Sequence, residues 1–148
     1  EAMRAAADFL KLMDINFEMT VASAHRTPEK ATEYAKTARE RGLRIIIAGA
    51  GMAAHLAGVL ASHTDLPVIG VPLDASPLGG MDALLATVQM PPGIPVATMG
   101  IGKSGAKNGA VLASRILALN DPALASKLVK FRQDMVTEVE QKAKRIKA

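Results

Sequence analysis

Four short apolar runs, each separated from the next by a helical stretch, constrain this 148-residue chain most. The runs are Ile15 to Val21, Leu43 to Ala48, Leu66 to Val71 and Ile94 to Met99. The first alternates apolar and polar residues, as a half-covered strand does, and the other three are continuously apolar. Helical patterns lie over Glu1–Met13, Pro28–Arg41, Met52–Ser62, Met81–Val88 and Ala106–Leu119. Strands that alternate with helices give an α/β domain with a parallel sheet covered on both faces. The length fits one domain spanning 1–148, with no linker, internal repeat or low-complexity tract.

Turn chemistry places the joints. Gly42 reads as the residue just past a helix, Gly49-Ala50-Gly51 as a turn after the second strand, and Pro72 as the end of the third. Gly100 to Gly105 reads as a second glycine-rich loop. Asp121 caps a terminal helix over 121–148 that starts at Pro122, and Leu124, Leu128, Phe131, Met135 and Val139 stripe one side of it. Such a face docks either on its own domain or on a neighbouring subunit. Hydrophobic content is 49% but aromatics are only 3%, so each core residue buries little area and burial between subunits would add stability.

In a parallel α/β sheet, ligands bind outside the carboxyl ends of the strands. Ser23-Ala24-His25-Arg26-Thr27-Pro28 falls at that edge. Thr27 reads as an N-cap and Pro28 as the first helical residue, so His25 and Arg26 stand exposed between strand and helix. A helix N-terminus with Arg26 and the Ser23 hydroxyl suits a phosphate. Histidine, whose ordinary pKa is about 6.5, gives or takes a proton near neutrality. The six residues combine a phosphate anchor with a proton donor; alternatively they are ordinary turn and cap residues. The turns at Gly49–Gly51, after Val71 and at Gly100–Gly105 converge on the same edge.

Other chemistries fit less well. Gly49-Ala50-Gly51-Met52-Ala53-Ala54 matches the dinucleotide pattern, with Asp74 near the ribose-binding offset, but Asp74 stands in a proline-rich loop. Gly102-Lys103-Ser104 lacks the earlier glycine of a P-loop, where Ala97 stands instead. From position alone His55, inside its helix, reads as structural and His63 as a capping or surface residue. The three histidines have no companion acids at ligand spacing, which argues against a metal. The formal charge of +4 suits an acidic ligand, but no basic run interleaved with aromatics points to nucleic acid. No apolar run is long enough to span a bilayer, and the absence of cysteine is compatible with a reducing cytoplasm.

The motifs then run in one order: Ser23-Ala-His-Arg-Thr-Pro28, Ile46-Ile-Ala-Gly-Ala-Gly51, Ala53-Ala-His-Leu56, Pro67-Val-Ile-Gly-Val-Pro72, Gly80-Met-Asp-Ala-Leu84, Val88-Gln-Met-Pro91, Gly93-Ile-Pro-Val96 and Ile101-Gly-Lys-Ser-Gly-Ala-Lys-Asn108. In that order and spacing the chain resembles the 5-(carboxyamino)imidazole ribonucleotide mutase family of purine biosynthesis, up to about Leu119. The resemblance implies a three-layer αβα sandwich of flavodoxin-like type. It implies a cytoplasmic homo-octamer in which the terminal helix packs on a neighbouring subunit.

The implied reaction moves a carboxylate from the exocyclic nitrogen of an aminoimidazole ribonucleotide to a ring carbon, with no metal, ATP or organic cofactor. His25 would act as general acid and then general base around a transient carbon dioxide. Ser23 and Arg26 would hold the phosphate, and Gly49, Ala50, Gly51, Ala53, His55 and Leu56 would complete the substrate pocket. Direct carboxylation from carbon dioxide is the neighbouring activity, and a non-catalytic nucleotide-binding module the alternative of another class. Three departures stand out. A first strand with a G-S-x-S-D-W loop would precede Glu1, and glycine and proline are common where Met52 and Ala57 stand.

Overall fold

The computed structural model describes residues 1–146. Three parallel strands, β1 (Ile46–Gly51), β2 (Val68–Leu73) and β3 (Ala97–Thr98), form one sheet in the order β1-β2-β3. Among the described residues six helices surround it: α1 (Arg4–Leu12), α2 (Pro28–Thr37), α3 (Leu56–Ala61), α4 (Met81–Val88), α5 (Gly102–Ala118) and α6 (Pro122–Ile146). None is long and apolar enough to cross a membrane.

Strand alternation sorts the core into two layers. Ile46, Ala48 and Val68 pack with Ala31, Ala35 and Ala38 of the α2 segment and Ala57 and Leu60 of α3. Val71 faces the other way, onto Phe9 and Leu10 of α1, Ala106 and Ala110 of α5 and Leu124 of α6. The helices approach closely because their inward residues are alanine and glycine. Gly109 of α5 lies against Ile69 and Ile47, and Gly70 of β2 lies under Thr87 and Ala57. The result is the flavodoxin-like α/β architecture.

Several expectations are met. α4 has the expected bounds; Gly42 takes the expected left-handed conformation, φ 84°, but α2 ends at Thr37 and not at Arg41, so Gly42 closes the turn that follows the helix. Asp121 caps α6 through its Oδ1, which accepts from the Leu124 N–H at 3.0 Å. The α6 stripe docks on its own domain only in part. Leu124 is buried and Leu128 and Phe131 pack on the core, where Phe131 meets Phe9 edge-on at 5.0 Å. Farther along, Met135, Val136 and Val139 are exposed.

Other expectations are corrected. Ile15 to Val21 is not a strand, because among the described residues it has no ladder partner. A groove of about 480 Å³ separates it from β1, lined by both and by residues of α1, α3 and α5. Among the described residues one ion pair ties the segment to the turn after α2: Arg41 meets Glu18 at 3.1 Å while lying over the ring of Tyr34 in α2 at 4.7 Å. Burial, helped by the Glu18 carboxylate, raises the Tyr34 phenol above its ordinary value against the opposing pull of Arg41.

The second strand begins at Ile46 and runs through Gly51, so Gly49-Ala50-Gly51 is strand and not turn. These glycines meet a packing demand. A Cβ on Gly49 would lie 2.6 Å from the Met3 sulfur, and one on Gly51 would lie 2.6 Å from the Ala75 Cβ. Pro72 does not end β2 but lies buried within it, beyond the point where β3 stops opposite Gly70. The fourth expected strand shrinks to Ala97–Thr98. The second glycine loop is also shorter, since Gly102 to Gly105 already belong to α5.

Candidate active site

The loops at the carboxyl edge of the sheet bring two histidines together. The first stands in a turn that closes on itself. The Thr27 N–H donates to the Ser23 carbonyl at 2.9 Å, and the Ser23 N–H donates to the Thr27 hydroxyl at 2.8 Å. That hydroxyl donates to the Ser23 carbonyl in turn, at 3.2 Å. Thr27 therefore does not cap the first turn of α2 with its side chain, as expected, because its oxygen is engaged by Ser23. The Ser23 hydroxyl oxygen accepts from the Arg26 N–H at 3.1 Å, which leaves its proton for a ligand. The closed turn leaves His25 and Arg26 exposed. Among the described residues Arg26 has no carboxylate partner.

The second histidine arrives through an irregular turn. Met52 and Ala54 both take positive φ, 57° and 46°, which no α-helix accommodates. The expected helix Met52–Ser62 therefore shortens to α3, and His55 moves from the helix interior to the residue before its first turn. The Ala54 N–H donates to the Gly51 carbonyl at 3.0 Å and closes the turn. At that point His55 Nδ1 lies 2.6 Å from His25 Nε2, with the rings edge-on at 4.7 Å.

One of the two nitrogens must donate to the other, so the contact fixes the His25 ring and leaves its Nδ1 as the outward atom. Both rings are exposed. Among the described residues no third histidine or carboxylate joins them as a metal-binding group. The pair can hold one proton on one side and pass another at Nδ1, which is the equipment of a general acid–base.

The other expected site residues fall in three places. Ser23 and Arg26 share the His25 turn. Gly51 ends β1 and Ala53 is exposed in the turn that leads to His55, while Ala50 stands half-buried in β1. Gly49 and Leu56 border the groove beside β1, and Leu56 also packs on the α2–α3 core. The contact between His25 and His55 was not foreseen. The thirty-residue separation hides it, and the only local hint was the position of both residues after an apolar run.

Comparison with known proteins bears on this edge. The family model described as AIR carboxylase matches residues 1–138. The N5-carboxyaminoimidazole ribonucleotide mutase of Pyrococcus abyssi is 58% identical over 133 residues, which cover 90% of this chain and 75% of that protein. The mutase of Saccharolobus solfataricus is 55% identical over 139 residues, covering 94% and 87% of the two chains. That of Bacillus subtilis is 54% identical over 134 residues, covering 90% and 83%. A crystal structure of Treponema denticola PurE superposes with a TM-score of 0.86 over 99% of this chain and 90% of that one; at 24% identity it speaks to the fold alone.

Proposed function

The chain belongs to the AIR carboxylase family, and on that premise we propose that it acts as an N5-carboxyaminoimidazole ribonucleotide mutase in purine biosynthesis. The enzyme is an isomerase. It moves a carboxylate from the exocyclic nitrogen to the ring carbon of an aminoimidazole ribonucleotide. The observation that carries its chemistry is the exposed His25 ring with Nε2 held 2.6 Å from His55.

The steps follow from that contact. Protonated His25 donates from Nδ1 to the carbamate nitrogen, the nitrogen–carbon bond breaks, and carbon dioxide is released inside the pocket. The electron-rich ring carbon attacks that carbon dioxide and forms the new carbon–carbon bond. His25 Nδ1, now bare, takes the ring proton and is restored. His55 keeps the other side of the His25 ring occupied throughout, so the same nitrogen serves as acid and then as base. The proton given in the first half-reaction returns in the second, so no cofactor is required.

Arg26 and the Ser23 hydroxyl bind the phosphate, a task suited to a planar guanidinium without a competing carboxylate. Gly49, Ala50, Gly51, Ala53 and Leu56 supply backbone and apolar wall. The chain forms one domain, with an open groove between Ile15–Val21 and β1. The exposed Met135, Val136 and Val139 of α6 support assembly, for which the octamer is our reading. The substrate is a small ribonucleotide, with neither nucleic acid nor membrane as partner, and the compartment is the cytoplasm.

The test is interconversion of the two carboxylated aminoimidazole ribonucleotides by purified protein without ATP, metal or added bicarbonate. Turnover supports the mutase. Activity only on the decarboxylated nucleotide with carbon dioxide supplied replaces it with a carboxylase. Binding without either reaction replaces it with a binding module.

A further inference from the structure

Met52 is the residue that neither backbone nor packing accounts for. Its φ of 57° belongs to the left-handed region, which glycine enters freely and an L side chain does not. Burial does not offset this, since the residue is 61% exposed. Its place is nonetheless well defined. It is the first residue after β1, inside the turn closed by the Ala54 N–H on the Gly51 carbonyl, and His55 follows three residues later against His25. Ala75, beyond the end of β2, leaves no room for a Cβ on Gly51. A large apolar side chain is thus kept on a disfavoured backbone, in the open, in the turn that delivers His55 to His25. Strain retained at such a place points to a use with ligand bound.

We propose that Met52 is the closing wall of the pocket and a specificity-determining residue of this chain. With nucleotide bound, its unbranched thioether side chain folds onto the aminoimidazole ring and shields the carbon dioxide formed between the two half-reactions. Methionine suits the task, having three rotatable bonds and a polarisable sulfur that packs well on aromatic edges. Met52 takes no part in bond making; it keeps a neutral, weakly held intermediate from leaving before the ring carbon attacks. The inference rests on the mutase reading of the same site.

The test compares the wild type with Met52→Gly and Met52→Leu, each as the full chain. Each is supplied with N5-carboxyaminoimidazole ribonucleotide, and two products are counted: the ring-carboxylated nucleotide and the decarboxylated nucleotide that marks escaped carbon dioxide. Met52→Gly relieves the left-handed strain, so its melting temperature is expected not to fall. Its escaped fraction should rise roughly tenfold, the discrimination a few apolar contacts supply, with a raised KM. Met52→Leu restores the bulk and should stay within about twofold of wild type in escape.

An escaped fraction and KM for Met52→Gly within about twofold of wild type overturn the proposal. So does a rise matched by Met52→Leu, because apolar bulk at this position would then not be what retains the carbon dioxide. If the wild type itself shows no mutase turnover, the mutase reading fails separately. Met52 is then judged by affinity for the decarboxylated nucleotide, where roughly tenfold weaker binding by Met52→Gly supports the wall and unchanged binding overturns it.

Discussion

Gly105 and Gly109 lie one turn apart in α5, yet replacing each by alanine should have opposite consequences. Both are buried helical positions, so each substitution gains about 1 kcal/mol of helix propensity. What the new methyl group meets decides the rest. At Gly105 its carbon would lie 1.6 Å from the Gly100 carbonyl oxygen and 2.5 Å from the carbonyl carbon. Real Cβ contacts stay beyond 3.0 Å, and the obstacle is backbone, which has no rotamer to change. The start of α5 must therefore separate from the loop after β3. Overpacking of that kind costs about 3 kcal/mol or more and outweighs the propensity gain.

At Gly109 the nearest atoms are side-chain carbons of Ile69, Ile47 and Met99 at 3.3, 3.5 and 3.5 Å, which can yield by a few tenths of an ångström. Gly105→Ala should therefore lose about 2 kcal/mol, a fall in Tm of roughly 4–8 °C for a chain of this length. Gly109→Ala should be neutral or more stable by up to about 1 kcal/mol. The assay is urea unfolding followed by circular dichroism at one fixed protein concentration, because assembly adds to apparent stability. A Gly105→Ala variant as stable as wild type, or a Gly109→Ala variant as damaged as Gly105→Ala, would refute the packing described for this helix.

Three further outcomes are expected. Arg26→Ala should weaken ribonucleotide binding by roughly 10- to 100-fold, the loss of a charged hydrogen bond, with a shallower salt dependence and little change in kcat; isothermal titration at two ionic strengths measures it, and unchanged affinity would remove Arg26 from the phosphate site. Val136→Glu combined with Val139→Glu should lower the sedimenting mass without altering the circular dichroism, since both residues stand clear of the core; an unaltered mass would mean that this face of α6 joins no subunits. The raised Tyr34 phenol makes the folded state hold its proton more tightly than the unfolded chain, which ionises near 10.0. Its contribution is thus complete below that pH and lost as pH rises through and above it. The urea midpoint should decline there in wild type and decline less in Tyr34→Phe, and parallel declines would contradict the assignment.

Much of the architecture was legible because it depends on local chemistry. Asp121 before Pro122 is an N-cap wherever it occurs, and Gly42 after a helical run is a natural left-handed residue. Ile15 to Val21 misled because alternation reports which side is apolar, whereas a strand also needs a neighbour for its backbone, and the neighbouring space is a groove. Gly49 and Gly51 misled in the reverse sense. They looked like turn residues but sit in β1: at Gly51 the Ala75 Cβ and the Leu73 carbonyl leave no room for a Cβ, whereas at Gly49 one would have to displace the Met3 side chain. The segment from Met52 to Ser62 is rich in helix formers, but the left-handed Met52 and Ala54 delay α3 until Leu56. That delay carries His55 to His25, so the same departure from local propensity that spoiled the helix boundary builds the site.

The central claim is that His25, held by His55, moves the proton in both half-reactions. It is tested most directly by the interconversion rate of His25→Asn against wild type, in buffer without ATP, metal or bicarbonate, with fold and assembly checked by circular dichroism and sedimentation. The protein should remain intact while its turnover falls by at least about a hundredfold, the effect of removing a general acid–base. Turnover within a few-fold of wild type would contradict it and pass the proton to another group.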